Sequence, residues 1–136
     1  MNLNTPVSEI MTRQVLTIDA KKHLSEAEKL MKKHKIRHMP VVRNGKIIGM
    51  LSLTDLLRIS FADAVTESDF NPEVYDMFTI DQLMNKQVIS LRPDDTIHAA
   101  AEIFVNHQFH ALPVVNEQGE PVGIVTTTDL IKLILA

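Results

Sequence analysis

The chain of 136 residues is long enough for one compact domain or for two small halves that share a core. Its hydrophobic content of 45% is typical of a folded globular protein, its net charge of −3 does not indicate binding to nucleic acid, and its lack of cysteine excludes disulfides, thiolate zinc sites and cysteine nucleophiles. No apolar stretch approaches the roughly 20 residues that cross a bilayer, and the first residues lack a signal-peptide pattern. We therefore expect a cytoplasmic protein without membrane insertion.

The first predicted elements follow one another in the order β-α-β-β-α. Val15–Ile18 is a short strand candidate, and apolar residues at helical spacing follow it from Leu24 to Met31. The stretch "MPVVRNGKIIGML" predicts a hairpin, because Asn44-Gly45 tolerates the positive φ angles of a type I′ turn. Pro40 is expected at the first residue of its strand, where a missing N–H is tolerated. A helix is expected to follow Asp55.

The same order of elements returns in the second half of the chain. Met84 stands 73 residues after Met11, "LPVV" repeats "MPVV" at the same offset, and Pro113 repeats Pro40. A strand is predicted over Val88–Leu91, and apolar residues at helical spacing follow from Ile97. The sequence therefore predicts two copies of one unit, residues 1–60 and 79–136, joined by an acidic linker at 61–78. A lid or partner surface is the other interpretation of that linker.

Each copy places a glycine, two hydroxyls and an aspartate where its last helix is predicted to begin: Gly49, Ser52, Thr54 and Asp55, and Gly123, Thr126, Thr128 and Asp129. One interpretation is a helix cap, with the hydroxyl at the N-cap and the carboxylate three residues later. The other is a nucleotide site. A helix N-terminus favours phosphate, a carboxylate accepts from the two hydroxyls of a ribose, and a glycine lets a ligand approach the strand closely.

Two β-α-β-β-α units, each with a Pro-Val-Val strand, a hairpin and a G-h-h-[ST]-x-[ST]-D ending, resemble a tandem pair of cystathionine-β-synthase (CBS) domains, or Bateman module. The resemblance implies an α/β (α+β) fold in which two repeats form one pseudo-two-fold module. It implies a stand-alone regulatory protein that is not an enzyme and has no catalytic residues. Such a module binds an adenosine nucleotide (AMP, ADP, ATP) or S-adenosylmethionine, with Mg²⁺ open as a companion of ATP, and signals to an unknown enzyme or transporter.

The resemblance also implies two ligand clefts, each built from both repeats. Cleft A would be lined by Met11, Leu16, Ile36, Arg37, His38, Pro40, Ile124, Thr126, Thr128 and Asp129. Cleft B would be lined by Ser52, Thr54, Asp55, Met84, Ile89, Phe109, His110, Ala111 and Pro113. Ile36 and Phe109 would lie against the adenine, and the phosphate would face Arg37, His38 and His110.

Two other functions stay open on the sequence: a structural or dimerisation module whose clefts bind nothing, and a regulator that responds to a divalent metal. No metal site is predicted, because the pairs His34 with His38 and His107 with His110 straddle helix ends and lack a nearby carboxylate. His34 and His107 are expected at the carboxyl ends of their helices. The endings "DLLRISF" and "DLIKLILA" predict helices with exposed apolar side chains, and hence a homodimer.

Overall fold

The computed structural model describes residues 2–64 and 77–136, so residues 65–76 of the predicted linker lie outside the described part of the chain. The fold is mixed α and β, as predicted. The first half follows the predicted β-α-β-β-α order, but in the second half the predicted strand Val88–Leu91 is reduced to a single bridge at Leu91. The first half contains a 3₁₀ turn (Val7–Glu9), β1 (Ile18–Asp19), α1 (Leu24–His34), β2 (His38–Arg43), β3 (Lys46–Ser52) and α2 (Leu53–Ala64). The second contains α3 (Ile80–Leu83), α4 (Ile97–Asn106), β4 (Ala111–Val115), β5 (Pro121–Thr126) and α5 (Thr127–Leu135).

The chain folds into two compact units whose boundaries cross the repeats. Leu16–Val88 forms the first-repeat unit, and Met1–Val15 joins Ile89–Ala136 in the second-repeat unit. In each unit a segment from before one repeat pairs with the last strand of the other repeat. Thr12 and Ile124 exchange hydrogen bonds of 2.9 and 3.0 Å, and Met50 and Asn85 exchange bonds of 3.0 and 2.8 Å. The two repeats thus follow one another in the sequence, but in the structure each repeat pairs with the segment that precedes the other repeat.

The first-repeat unit is built on a three-stranded sheet in the order β1-β2-β3. β1 runs parallel to β2, with Ile18 opposite Val41, and β2 runs antiparallel to β3. Asn44 has a φ of 53° and Gly45 a φ of 78°, which confirms the predicted type I′ turn between β2 and β3. The core of this unit includes the fully buried side chains of Leu24, Met31, Met39, Leu51 and Leu56, so α1 and the sheet bury one apolar layer together.

The second-repeat unit copies this plan with a shorter first strand. Leu91 forms a single parallel bridge to Val114, at the position that Ile18 and Val41 occupy in the first repeat. β4 and β5 are antiparallel, with a bulge at Val114/Val115 where β2 has one at Val41/Val42. The core includes the buried side chains of Val7, Leu91, Leu112, Val114 and Val125.

Both prolines lie inside their strands, so the prediction that each begins its strand is wrong. Pro40 is the third residue of β2 and Pro113 the third residue of β4. Leu91 N–H donates to Pro113 O and Val115 N–H donates to Leu91 O, so the absent N–H of Pro113 faces the first-strand side and not β5. The β4–β5 ladder therefore loses no bond. The proline also has no N–H to donate to the first strand of its repeat, so the pairing with that strand stops early. This explains why Val15 and Val88 are not paired in the first strands of their repeats.

Two helices end at the histidines that the sequence places there. Thr96 caps α4 through its side chain, which accepts a 3.1 Å hydrogen bond from Ala99 N–H. His34 is the last residue of α1 and His107 the C-cap of α4, as predicted. Lys35, with a φ of 55°, ends α1 in the left-handed conformation common at helix ends. In the described part of the chain, no helix has the length and apolarity needed to span a membrane.

Candidate functional site

The start of α5 is a complete capping box. Thr126 Oγ1 accepts a 3.1 Å hydrogen bond from Asp129 N–H, and Asp129 Oδ2 accepts a 2.8 Å bond from Thr126 N–H. Two backbone donors that the helix cannot satisfy are thereby paired. The capping interpretation of this motif is confirmed. It uses only one of the two carboxylate oxygens, since Asp129 Oδ1 has no hydrogen-bond partner among the described residues.

The start of α2 has the same residues in a different arrangement. Ser52 Oγ accepts a 3.1 Å hydrogen bond from Asp55 N–H, but Asp55 does not return one to the Ser52 N–H. The Asp55 carboxylate instead lies 3.7 Å from the guanidinium of Arg58, one turn along the helix. Lys132, at the matching position of α5, forms no ion pair with Asp129 within the described residues. The two aspartates therefore differ: one is held by the backbone and the other faces a cation.

The loop before each central strand lies beside the start of the last helix of the same repeat. Leu53 N–H donates to Arg37 O at 2.8 Å, and Thr127 N–H donates to His110 O at 3.0 Å. The strand register adds to this by placing His38 opposite Ser52. Residues that the prediction divided between cleft A and cleft B are thus neighbours within each compact unit.

The predicted site residues fall into two sets. The second-repeat unit holds Met11, Ile89, Phe109, His110, Ala111, Pro113, Ile124, Thr126, Thr128 and Asp129. The first-repeat unit holds Leu16, Ile36, Arg37, His38, Pro40, Ser52, Thr54, Asp55 and Met84. Each predicted cleft takes residues from both units, and that combination stays a prediction.

The two glycines before the hydroxyls make room for methionine. A Cβ atom added at Gly123 would lie 2.8 Å from Met11 Cγ and closer still to its sulfur, and one added at Gly49 would lie 2.8 Å from Met84 Cγ. The expectation that these glycines admit a ligand is wrong, because a methionine already occupies the space beside each strand. Met11 and Met84 belong to the exchanged segments, so each glycine lets a segment dock on the other repeat.

The side chains expected to touch base and phosphate differ in their surroundings. Phe109 is partly buried and stacks on His107, with ring centroids 5.6 Å apart and planes 21° from parallel. Ile36 is also partly buried against the core of its unit. Arg37 is exposed and forms no ion pair with the side chains that the structure describes, those of residues 2–58 and 77–136, which leaves its guanidinium available to an anion. The described residues contain no group of three side chains suited to a metal ion.

The sequence reasoning missed Arg58. Its signal was present, because a basic residue three positions after an acid on a helix commonly pairs with it. The two copies differ at this position, since Arg58 of the first repeat corresponds to Lys132 of the second.

Comparisons with known proteins identify the family. The CBS domain family matches residues 7–62 and 80–136. The chain is 31% identical to the CBS domain-containing protein YhcV of Bacillus subtilis, over 91% of this chain and 81% of that protein. It is 33% identical to a homoserine O-acetyltransferase of Methanococcoides burtonii, over 96% of this chain but 24% of the enzyme. The chain spans 24% to 47% of the length of several relatives.

A solved structure supports the same conclusion. The CBS domain pair of protein MJ0100, in complex with 5′-methylthioadenosine and S-adenosyl-L-methionine, is 27% identical to this chain. The match covers 96% of this chain and 95% of that one, with a TM-score of 0.78. The family matches the chain twice, once in each half. The chain therefore belongs to the CBS domain family, as a tandem pair.

Proposed function

We propose that the chain is a regulatory module that binds an adenosine-containing ligand and does not itself catalyse a reaction. The observation that carries the proposal is the start of α5, where Asp129 Oδ1 has no hydrogen-bond partner among the described residues and lies beside the exposed Thr128. A carboxylate oxygen in that position can accept hydrogen bonds from the neighbouring hydroxyls of a ribose. The capping box supports this role because it fixes the carboxylate in one orientation.

The ligands of the MJ0100 pair favour recognition through the adenosine part. 5′-Methylthioadenosine and S-adenosylmethionine share an adenosine group and carry no phosphate. AMP, ADP and ATP contain the same group, so a carboxylate that binds the ribose could recognise all of these ligands. In this chain, Arg37 and His38 are the groups that would favour a phosphate in cleft A, and His110 the group in cleft B. Mg²⁺ would then accompany ATP through its phosphates.

The relatives suggest how the bound state is used. The homoserine O-acetyltransferase matches this chain over only 24% of its length. By analogy, we propose that ligand binding to this module regulates an enzyme or a transporter, in the same chain or in a partner.

Calorimetric titration of the purified chain with adenosine, AMP, ATP and S-adenosylmethionine tests the proposal. We expect saturable heat with at least one ligand, and adenosine alone should compete with it because the ribose contact is shared. Mg²⁺ without nucleotide is the control. Heat from Mg²⁺ alone would favour the metal-responsive regulator, and no heat from any ligand, after removal of any carried-over nucleotide, would favour the structural module.

A further inference from the structure

The long helix of each repeat ends differently, although the same residue type stands at the same position. In the first repeat, α1 includes His34 and closes with Lys35 in the left-handed conformation, with φ of 55° and ψ of 42°. In the second repeat, α4 already ends at Asn106, and His107 follows in an extended conformation with φ of −136° and ψ of 160°. The histidine is therefore part of the helix in one repeat and lies just outside it in the other.

Outside the helix, the imidazole of His107 stacks on the ring of Phe109. The ring centroids lie 5.6 Å apart and the planes are 21° from parallel. His107 is exposed, whereas Phe109 is partly buried and packs against the core of its unit. The imidazole forms no hydrogen bond or ion pair with a group that the structure describes, so stacking is the contact that holds the two rings together.

The first repeat has Ile36 at the position of Phe109, and it has no such stack. Ile36 is branched at Cβ, which restricts its χ1 angle, and it packs against the core of its own unit. A phenylalanine ring at the edge of a core has more freedom to turn about χ1 and χ2. A neighbouring ring that stacks on it removes part of that freedom. The second repeat therefore uses two side chains to fix a surface that the first repeat fixes with one.

We propose that His107 is a positioning residue for the base of the bound nucleotide, because it holds the Phe109 ring in the orientation on which a purine stacks. The proposal rests on the adenosine-binding function proposed above, in which Phe109 lies against the adenine. The strength of stacking depends on ring overlap, so a fixed ring favours a purine over the smaller pyrimidine. A ring that is ordered before the ligand arrives also lowers the entropic cost of binding.

Fluorine NMR can follow binding at Phe109 separately from binding elsewhere. para-Fluorophenylalanine is incorporated at the five phenylalanines of the chain, and the signal that disappears in Phe109→Leu is assigned to Phe109. The nucleotide-free protein is then titrated with AMP and with CMP. We expect His107→Ala to weaken AMP binding at this signal by about two- to tenfold, the worth of one aromatic pair. CMP binding should weaken less, so the ratio of the AMP and CMP affinities should fall.

Two further variants separate positioning from a purely structural role. His107→Phe supplies another ring that can stack, so it should restore the AMP-to-CMP ratio. His34→Ala is the matched control, because it removes the exposed histidine at the same position of the first repeat and should leave binding at Phe109 unchanged. Melting temperatures are measured for every variant.

Three results would overturn the proposal. If His107 served only the fold, His107→Ala would lower the melting temperature and weaken AMP and CMP by equal factors. Equal AMP affinity at the Phe109 signal in the wild type and in His107→Ala would also overturn it, while the proposed function would stand. If no nucleotide shifted a fluorine signal or gave calorimetric heat, this proposal and the proposed function would both be wrong.

Discussion

At the scale of single residues, the geometry of Asp129 allows both of the roles that the sequence presented as alternatives. Its Oδ2 atom accepts from Thr126 N–H and completes the cap, and its Oδ1 atom is available to a ligand. A carboxylate has enough acceptor sites for both bonds at once. The presence of a cap therefore does not argue against ribose binding, and only a substitution that separates the two roles can do so.

Asp129→Asn is that substitution. The Asn oxygen can still accept from Thr126 N–H, so the melting temperature should stay near that of the wild type, while the loss of charge weakens the ribose contact. We expect ligand affinity to fall by the worth of a charge-assisted hydrogen-bond pair, about 1.5–3 kcal/mol. Asp129→Ala should lose this affinity and also about 0.5–2 kcal/mol of stability, because the cap is lost too. Calorimetry and thermal melting of both variants measure the two effects.

Asp55→Ala is the matched control for the stability effect. Asp55 makes no capping bond back to Ser52, so its removal should lower the melting temperature less than Asp129→Ala does. Intact ligand affinity in both Asp129 variants would end the ribose assignment and leave the capping role alone.

At the scale of elements, the segments that carry Met11 and Met84 pack against glycines, which the sequence had suggested would admit a ligand. Met11 lies against Gly123 and Met84 against Gly49, each next to a one-residue bridge to a strand. The absence of a Cβ atom sets how closely the segment approaches, so the strand cannot take a larger side chain there without moving the methionine.

Gly123→Ala should therefore destabilise the chain by about 1–3 kcal/mol through overpacking against Met11. Combining it with Met11→Ala removes the atoms in conflict, so the double variant should lose less than the sum of the single variants, by about 0.5–3 kcal/mol. Urea unfolding of all four proteins gives this coupling. Gly45→Ala, where nothing lies within 4 Å but φ is 78°, is a control for strain without crowding. Additive losses would contradict the contact.

The elements were predictable because their signals are local. The apolar spacing of Leu24 to Met31 indicated α1, and Asn44-Gly45 indicated the turn between β2 and β3. The role of Gly123 was not predictable in this way, because the atom that fills its space comes from Met11, more than a hundred residues earlier. The interior position of Pro113 also depends on a distant partner, since Leu91 decides which side of β4 needs donors. Contacts between residues that are far apart in the sequence cannot be predicted from the local sequence around either residue.

At the scale of the whole molecule, the two copies of the motif are predicted to be unequal as ligand sites. The Asp55 carboxylate faces Arg58 at 3.7 Å, whereas Asp129 forms no ion pair among the described residues. A ligand that uses Asp55 competes with that guanidinium. The resemblance also assigns Arg37 and His38 to the cleft of Asp129, and a permanent guanidinium charge favours phosphate more than the imidazole of His110 does.

A phosphorylated ligand should therefore fill the Asp129 site first. Crystals soaked with AMP at limiting concentration should show it there, and calorimetry should resolve two steps, of which Asp129→Asn removes the tighter. Arg58→Ala should bring the two affinities closer by freeing the Asp55 carboxylate. Sole occupancy of the Asp55 site at limiting AMP would reverse the ranking.

Each compact unit contains residues from both sequence repeats, which determines how fragments of the chain would fold. A cut between residues 64 and 77 separates the two sequence repeats, but neither fragment contains a whole unit, because Met1–Val15 and the segment around Asn85 are each left on the wrong piece. Each fragment carries a part that the other needs for its fold. The halves should therefore behave as a complementing pair, poorly folded apart and structured when mixed, so that their reunion can report whether both are present in one solution.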